Sequence, residues 1–380
     1  RPPRSTQSRC SSASDVYKRQ IVSRMMGATA RLYLVVNILQ SAILESFHVP
    51  FWATTLIILL MILLYTYEGG VKTIVWTDTL QTTCMLAGLI ICTIYIMNNM
   101  HLTFGQSVTA MNEKGFSKIF FFDGNSKLNY IKQIIAGLFI TVTMTGMDQE
   151  MMQKNISVKT LKDSQKNVLS LGFILAFAIL IFLFLGGLLY LYAEQQHITV
   201  TGDKIFPTVA LHYMPPFVSV IFIIALISAL FPSADGAITA LTSSFCIDIL
   251  GIQRNQTMSD EKKKKLRQRV HLTFAVVFLF FVMIYKWIES PSMIGIILKV
   301  ASYTYGPLLG LFSFGIVLKR QVKDKLVPVV CLAAPLVCYL IDSNQKLLFG
   351  SFEIGIELLV INGALTFLGL LLISKKKAIQ

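Results

Sequence analysis

Ten stretches of this chain, near residues 21–46, 51–67, 76–98, 129–148, 167–193, 217–249, 270–288, 292–318, 324–342 and 353–374, are long and predominantly apolar, which leaves few folds open. About 18 such residues, rising 1.5 Å each, cross a hydrocarbon layer about 30 Å thick. Lipid offers a backbone amide no partner, so spans of this kind are helices that close their own hydrogen bonds. Composition agrees: 54% of residues are apolar and 14% charged, which in water would expose far more hydrocarbon than a soluble domain tolerates. The expected fold is all-α, a polytopic membrane protein of about ten transmembrane helices.

Loop charge sets the orientation. One side carries Lys72, the cluster Lys154, Lys159, Lys162 and Lys166, the run Arg254 to Arg269, Lys319 to Lys325 and Lys375 to Lys377. The other carries Lys114, Lys118, Lys127, Lys132, Lys204, Lys286 and Lys346. The denser side is expected to be cytoplasmic, with the C-terminus on it. The net charge of +14 is then mostly topological, and no nucleic-acid partner is expected. Lys262 to Arg269 reads as a solvated loop beside anionic lipid.

Residues 1–20 stand apart. Asp15-Val-Tyr-Lys-Arg-Gln20 is encoded by GAT-GTG-TAT-AAG-AGA-CAG, which resembles the transposase adapter end used in sequencing libraries. Residues 1–20 are therefore set aside as an assembly artefact and 21–380 taken as the transmembrane domain. On this reading the chain proper begins at Ile21, inside a helix, with earlier helices missing.

Catalytic chemistry has little support. Cys84, Cys92, Cys246, Cys331 and Cys338 all fall in apolar spans, as packing residues rather than disulfide partners or metal ligands. The histidines at 48, 101, 197, 212 and 271 lack ligand spacing, and no nucleophile elbow, phosphate loop or zinc motif occurs. An enzyme and an enzymatic cofactor are not expected.

Two segments carry the functional signal. Tyr65 to Gln81 reads YTYEGGVKTIVWTDTLQ, a Gly-Gly pair with Lys72, Trp76 and a lone Asp78 at a helix start. Lys72 and Trp76 suit an interface anchor, and Asp78 suits an N-terminal cap. The span 217–249 places Pro232 near the midplane among Ser228, Ser233, Asp235, Gly236, Thr239, Thr242, Ser243 and Ser244. Proline removes a backbone donor, which frees carbonyls around Ser228 and Ala229. Such carbonyls and hydroxyls suit a hard cation. Serine and threonine also bond back to helix carbonyls or pack small-residue seams, so each has a structural alternative. Asp235 is costly in lipid and is expected to face protein or water, as a functional group or paired with a basic residue.

These segments resemble the sodium:solute symporter family, which shows Tyr, Gly-Gly and Trp-Thr-Asp with a trailing Gln at this spacing. Pro232-Ser233-Ala234-Asp235-Gly236 with Asp248 resembles the family's eighth core helix, with Pro232 departing from its usual hydroxyl residue. Thr145-Gly-Met-Asp-Gln-Glu-Met-Met-Gln-Lys-Asn155 resembles the end of core helix six, and Ser302-Tyr-Thr-Tyr-Gly-Pro307 the tenth.

The resemblance implies an inverted five-plus-five helix fold with the site at the midplane, the first repeat being cut here. It further implies a secondary active transporter of the plasma membrane, in a bacterium the inner membrane, importing a small organic solute with sodium as coupling ion. The fragment alone is not expected to transport. Ala229 by its carbonyl and Ser233 by its hydroxyl are the implied sodium ligands, with Asp78 on the exit route and Asp235 as a substitute ligand. Thr141 matches a position lining the substrate pocket. Met144 stands where sugar-transporting members have an aromatic gate, or else fills a core. Lys299 lies about 10 Å inside its span and either snorkels outward, contacts an anionic substrate group or pairs with Asp235. Proton coupling and a transporter-derived sensor are the alternatives, and substrate identity stays open.

Overall fold

The computed structural model describes residues 10–66, 71–147, 151, 155, 158–252, 258–287, 293–318 and 320–376. The Glu68-Gly69-Gly70 part of the first motif, Asp148 to Glu150 and Ser157 lie outside the described residues, as do the side chains of Pro232 and Ser233.

The principal helices are α1 (Cys10–Leu39), α2 (Phe51–Thr66), α3 (Val71–Asn99), α4 (Phe104–Glu113), α5 (Tyr130–Ile140), α6 (Leu161–Gln195), α7 (Pro216–Ser244), α8 (Asp260–Trp287), α9 (Met293–Val317), α10 (Val327–Ser343) and α11 (Leu358–Leu372). Short helical turns occupy Ile205–Thr208 and Gln345–Phe349, and two strands, β1 (Arg320–Val322) and β2 (Ser374–Lys376), pair antiparallel. Every expected apolar span is a helix. Five segments are long enough to cross a bilayer by length and composition: 76–99, 161–195, 216–249, 260–287 and 297–317. The other five apolar helices are 10–17 residues long.

Local chemistry explains several boundaries. Thr103 and Gln106 form a reciprocal capping box at the start of α4, and Asn129 accepts from the Ile131 and Lys132 amides at the start of α5. Thr160 accepts from the Asp163 amide at the start of α6. Three helices end in π-helical turns: α1 into Gln40–Leu44, α5 into Thr141–Gly146 and α7 into Phe245–Ile249.

The centre of the fold is α7, because its two halves belong to different cores. Val218 and Phe222 pack with Leu89, Cys92 and Ile96 of α3 and with Leu185, Leu188 and Tyr192 of α6. Ala234, Ala237, Ile238 and Leu241 pack with Leu32 and Val36 of α1, Ile58 and Ile62 of α2, and Phe278 and Val282 of α8. The Tyr285 hydroxyl donates to the Met26 carbonyl at 3.1 Å, fixing α8 to α1. A third core joins Ala301, Tyr305 and Leu308 of α9 with Leu359 of α11 and with Met147 just after the π turn of α5.

Two helix pairs meet at glycines. A Cβ added to Gly88 would stand 2.5 Å from the Cβ of Ala225, so α3 and α7 approach as only small residues allow. Gly310 and Gly363 do the same for α9 and α11, a Cβ on Gly310 falling 2.6 Å from the Gly363 carbonyl oxygen. Pro307, inside α9, leaves the Tyr303 carbonyl without its usual amide donor. Asn362 of α11 fills the gap, its Nδ2 donating to the Ser302 and Tyr303 carbonyls at 3.0 Å each.

Gly88→Val should destabilise the fold by about 1–3 kcal/mol, because the clash at Ala225 is backbone-anchored on both sides. Unfolding in mixed detergent micelles measures this; a wild-type midpoint would refute the close α3–α7 contact.

Candidate functional site

Asp235 is fully buried in α7, flanked by buried Ala234, Gly236, Ala237 and Ile238. Its Oδ1 accepts from the Gly236 amide. The helix runs unbroken through Pro232, so the kink that proline invites is taken up within a continuous helical path. Ser228, one turn before Pro232, is buried, and Ala229 is half-buried.

The Gly88–Ala225 contact sets the register of α7 against α3, which runs antiparallel to it. Ten residues from that contact toward the start of α3 lies Asp78, and ten toward the end of α7 lies Asp235. Each step is about 15 Å of helix, so the two carboxylates lie at about the same depth. Asp78 is half-buried and lies seven residues inside α3, so it is not the N-terminal cap expected; Trp76, two residues earlier, is 79% exposed.

Gln81 Oε1 on α3 and Thr239 Oγ1 and Ser244 Oγ on α7 are buried oxygens with no hydrogen-bond partner among the described residues. Thr239 lies one turn beyond Asp235 and Gln81 one turn beyond Asp78, so the α3–α7 region has oxygen-donor capacity that its own hydrogen bonds leave unused. Buried oxygens of that kind suit a bound cation or water.

Thr141 and Met144 both fall in the π turn that ends α5. Turns of this kind open helix bonding locally and are frequent at functional sites. Thr141 is exposed and its Oγ1 donates to the Gly137 carbonyl at 2.9 Å. Met144 packs against the α9–α11 core that contains Tyr305 and Leu309.

Lys299 lies at a different place. Its Nζ sits 2.7 Å from Asp342 Oδ2 on α10; the ammonium side chain is 60% exposed and the carboxylate side chain 13%. The acidic partner of Lys299 is thus Asp342 and not the expected Asp235. The Tyr303 hydroxyl donates to the same oxygen at 2.6 Å, and Gln345 Nε2 donates to Oδ1 at 2.6 Å. Lys299, Asp342 and Gln345 line a cavity of about 840 Å³ with Lys127, Ser302 and Glu353, and none of the other site residues lines it. Gln345 also accepts from the Ile354 amide at 2.8 Å, and Lys132 donates to the Glu353 carbonyl at 3.0 Å while sitting 3.5 Å above the Phe352 ring. The Glu353 amide in turn donates to the Asn125 carbonyl at 2.8 Å. Sequence reasoning missed Asp342, Tyr303 and Gln345; an aspartate at the end of an apolar span was the available signal.

Residues 19–324 match the sequence profile of the Sodium:solute symporter family. The chain belongs to that family. Its similarity to the sodium/sialic acid symporter SiaT of Proteus mirabilis is 24% identity over 70% of this chain and 54% of that protein. Identity to the sodium/pantothenate symporter of Haemophilus influenzae is 26%, over 67% of this chain and 50% of that protein. Human sodium-coupled monocarboxylate transporter 2 is likewise 26% identical, over 67% of this chain and 42% of its own length. The chain thus spans about half the length of these relatives. A solved structure of a substrate-bound, outward-open Na+-coupled sialic acid symporter superposes with a TM-score of 0.76 at 17% identity, covering 96% of this chain and 76% of that one. That likeness shows the fold: a multi-pass, all-helical transporter architecture.

Asp342→Ala should cost about 2–3 kcal/mol, since three donors lose their acceptor, whereas Lys299→Met should cost about 1 kcal/mol or less because the ammonium is largely solvated. Paired unfolding curves in micelles test the order; a larger loss for Lys299→Met would show that the ion pair, not the converging hydrogen bonds, holds the cluster.

Proposed function

We propose that this chain is the transport domain, residues 21–380, of a sodium-coupled symporter that imports a small organic solute across the plasma membrane. The observation that carries the reading is the fully buried Asp235 on α7, one turn before the buried, unpartnered Thr239 Oγ1. Removing a carboxylate from water is costly, and a bound cation offsets that cost. Sodium is held by the Ala229 carbonyl and the Ser233 hydroxyl, with Asp235 supplying the charge and Asp78 lining the exit.

The solute site uses Thr141 at the π turn of α5, with Met144 closing against α9. In its separate cavity, Lys299 serves an anionic group of the solute apart from the Thr141 site, with ammonium donors beyond the one given to Asp342. The sialic acid, pantothenate and monocarboxylate carried by relatives are all acids, which supports a carboxylate-bearing cargo. Sodium binding stabilises the state that accepts solute, and movement of the helices around α7 exchanges access between the two faces. The basic segments face the cytoplasm with the C-terminus; among them Lys262 to Arg269, expected as a loop, form the first turns of α8.

Uptake by the full-length transporter in proteoliposomes should require an inward sodium gradient and persist when the proton gradient is collapsed; dependence on the proton gradient alone would overturn sodium coupling. Asp235→Asn should raise the sodium concentration for half-maximal uptake at least about tenfold, equivalent to ~1.4 kcal/mol. Ser233→Ala should raise it by a smaller factor, and an unaltered sodium requirement would remove Ser233 from the site.

A further inference from the structure

His271 of α8 is buried, 6% exposed, between Thr66 at the end of α2 and Thr242 of α7, themselves 6% and 3% exposed. Its Nε2 lies 3.0 Å from Thr66 Oγ1 and its Nδ1 lies 3.1 Å from Thr242 Oγ1. Each hydroxyl also lies 2.7 Å from the carbonyl oxygen four residues earlier, Thr66 from Ile62 and Thr242 from Ile238. One ring therefore ties three helices together through four short contacts.

Those four contacts need four hydrogens. A hydroxyl supplies one, so the threonines bring two, and a neutral imidazole brings a third. With the ring neutral, one contact is unmade: either Thr66 or Thr242 turns its hydrogen to the bare ring nitrogen and leaves its helix carbonyl. With the ring protonated, both ring nitrogens donate, both threonines keep their carbonyls, and all four contacts close.

From this count we propose that His271 is a proton-binding site whose occupancy α7 reads through Thr242, and that the proton opposes the coupling ion. The inference rests on the sodium reading given above. Thr242 follows Asp235 by seven residues, two turns along nearly the same face of α7 and about 10 Å in rise. A positive charge held there repels a cation at Asp235 and lowers its affinity on the order of tenfold at an effective dielectric near 20. The charged groups on the surrounding elements are Arg267, one turn earlier on α8, Asp235 on α7, Asp248 in the π turn that follows it, and Arg31 on α1, whose Nε donates to the Gly27 carbonyl. The residues 51–66 of α2 include no charged side chain.

The test uses the full-length protein in lipid nanodiscs, with 15N-labelled histidine and with sodium or potassium chloride as the only varied salt. The His271 imidazole should pass from one N–H to two as pH is lowered through the range in which the protein stays folded, and sodium should shift that titration to lower pH where potassium does not. Thermal melts should show sodium stabilisation that weakens roughly tenfold in apparent affinity as pH falls across that range. His271→Gln, which keeps one donor and one acceptor, should make the sodium effect independent of pH, and Thr242→Val should uncouple the two while His271 still titrates. A ring that stays singly protonated throughout overturns the proposal, as does a pH dependence that survives in His271→Gln. Melts that respond to sodium while the His271 titration does not move overturn the proton site alone. Melts and titration both indifferent to sodium overturn the symporter reading and this one with it.

Discussion

Holding a carboxylate inside a membrane helix is the constraint around which this fold is arranged. Asp235 has no solvent exposure, and the residues beside it are Ala234, Gly236, Ala237 and Ala240, all buried and small. Small side chains bring α1 and α8 close to this part of α7, and the Gly88–Ala225 contact does the same for α3 one core away. The same helix therefore serves two hydrophobic cores, and a shift of α7 is felt by both. A transporter needs this property, because an ion bound at one point must alter packing elsewhere.

Much of the architecture was legible in the sequence for a simple reason. Bilayer thickness imposes a minimum apolar length, and a run of apolar residues reveals it without any knowledge of neighbours. Each of the ten runs contains a helix. Where a run includes a π turn or a loop end, the regular helix is shorter than the run, as in α5, which stops at Ile140 while the π turn continues to Gly146. Hydropathy counts residues, not conformation, so that difference was invisible.

Contacts between distant segments were illegible. Lys299 meets Asp342, and His271 meets Thr66 and Thr242, through helix rotations that no spacing rule supplies. The proline argument transferred better than its location. The expected freeing of carbonyls by a proline is visible at Pro307, where Asn362 supplies the missing donors. At Pro232 the helix continues regularly, and the freed carbonyl belongs to buried Ser228. One proline thus has a dedicated amide to satisfy its turn, while the other sits in a continuous helix one turn after buried Ser228.

The loop before α5 is fastened at several points to the loop before α11, by Lys132 on Phe352 and the Glu353 carbonyl and by the Glu353 amide on Asn125. A rod pinned at one end pivots instead of sliding. With the first turn of α5 held, any swing of that helix has its greatest arc at the opposite end, where the π turn carries Thr141 and Met144. Leverage, not proximity, then links these two loops to the residues proposed to grip a solute.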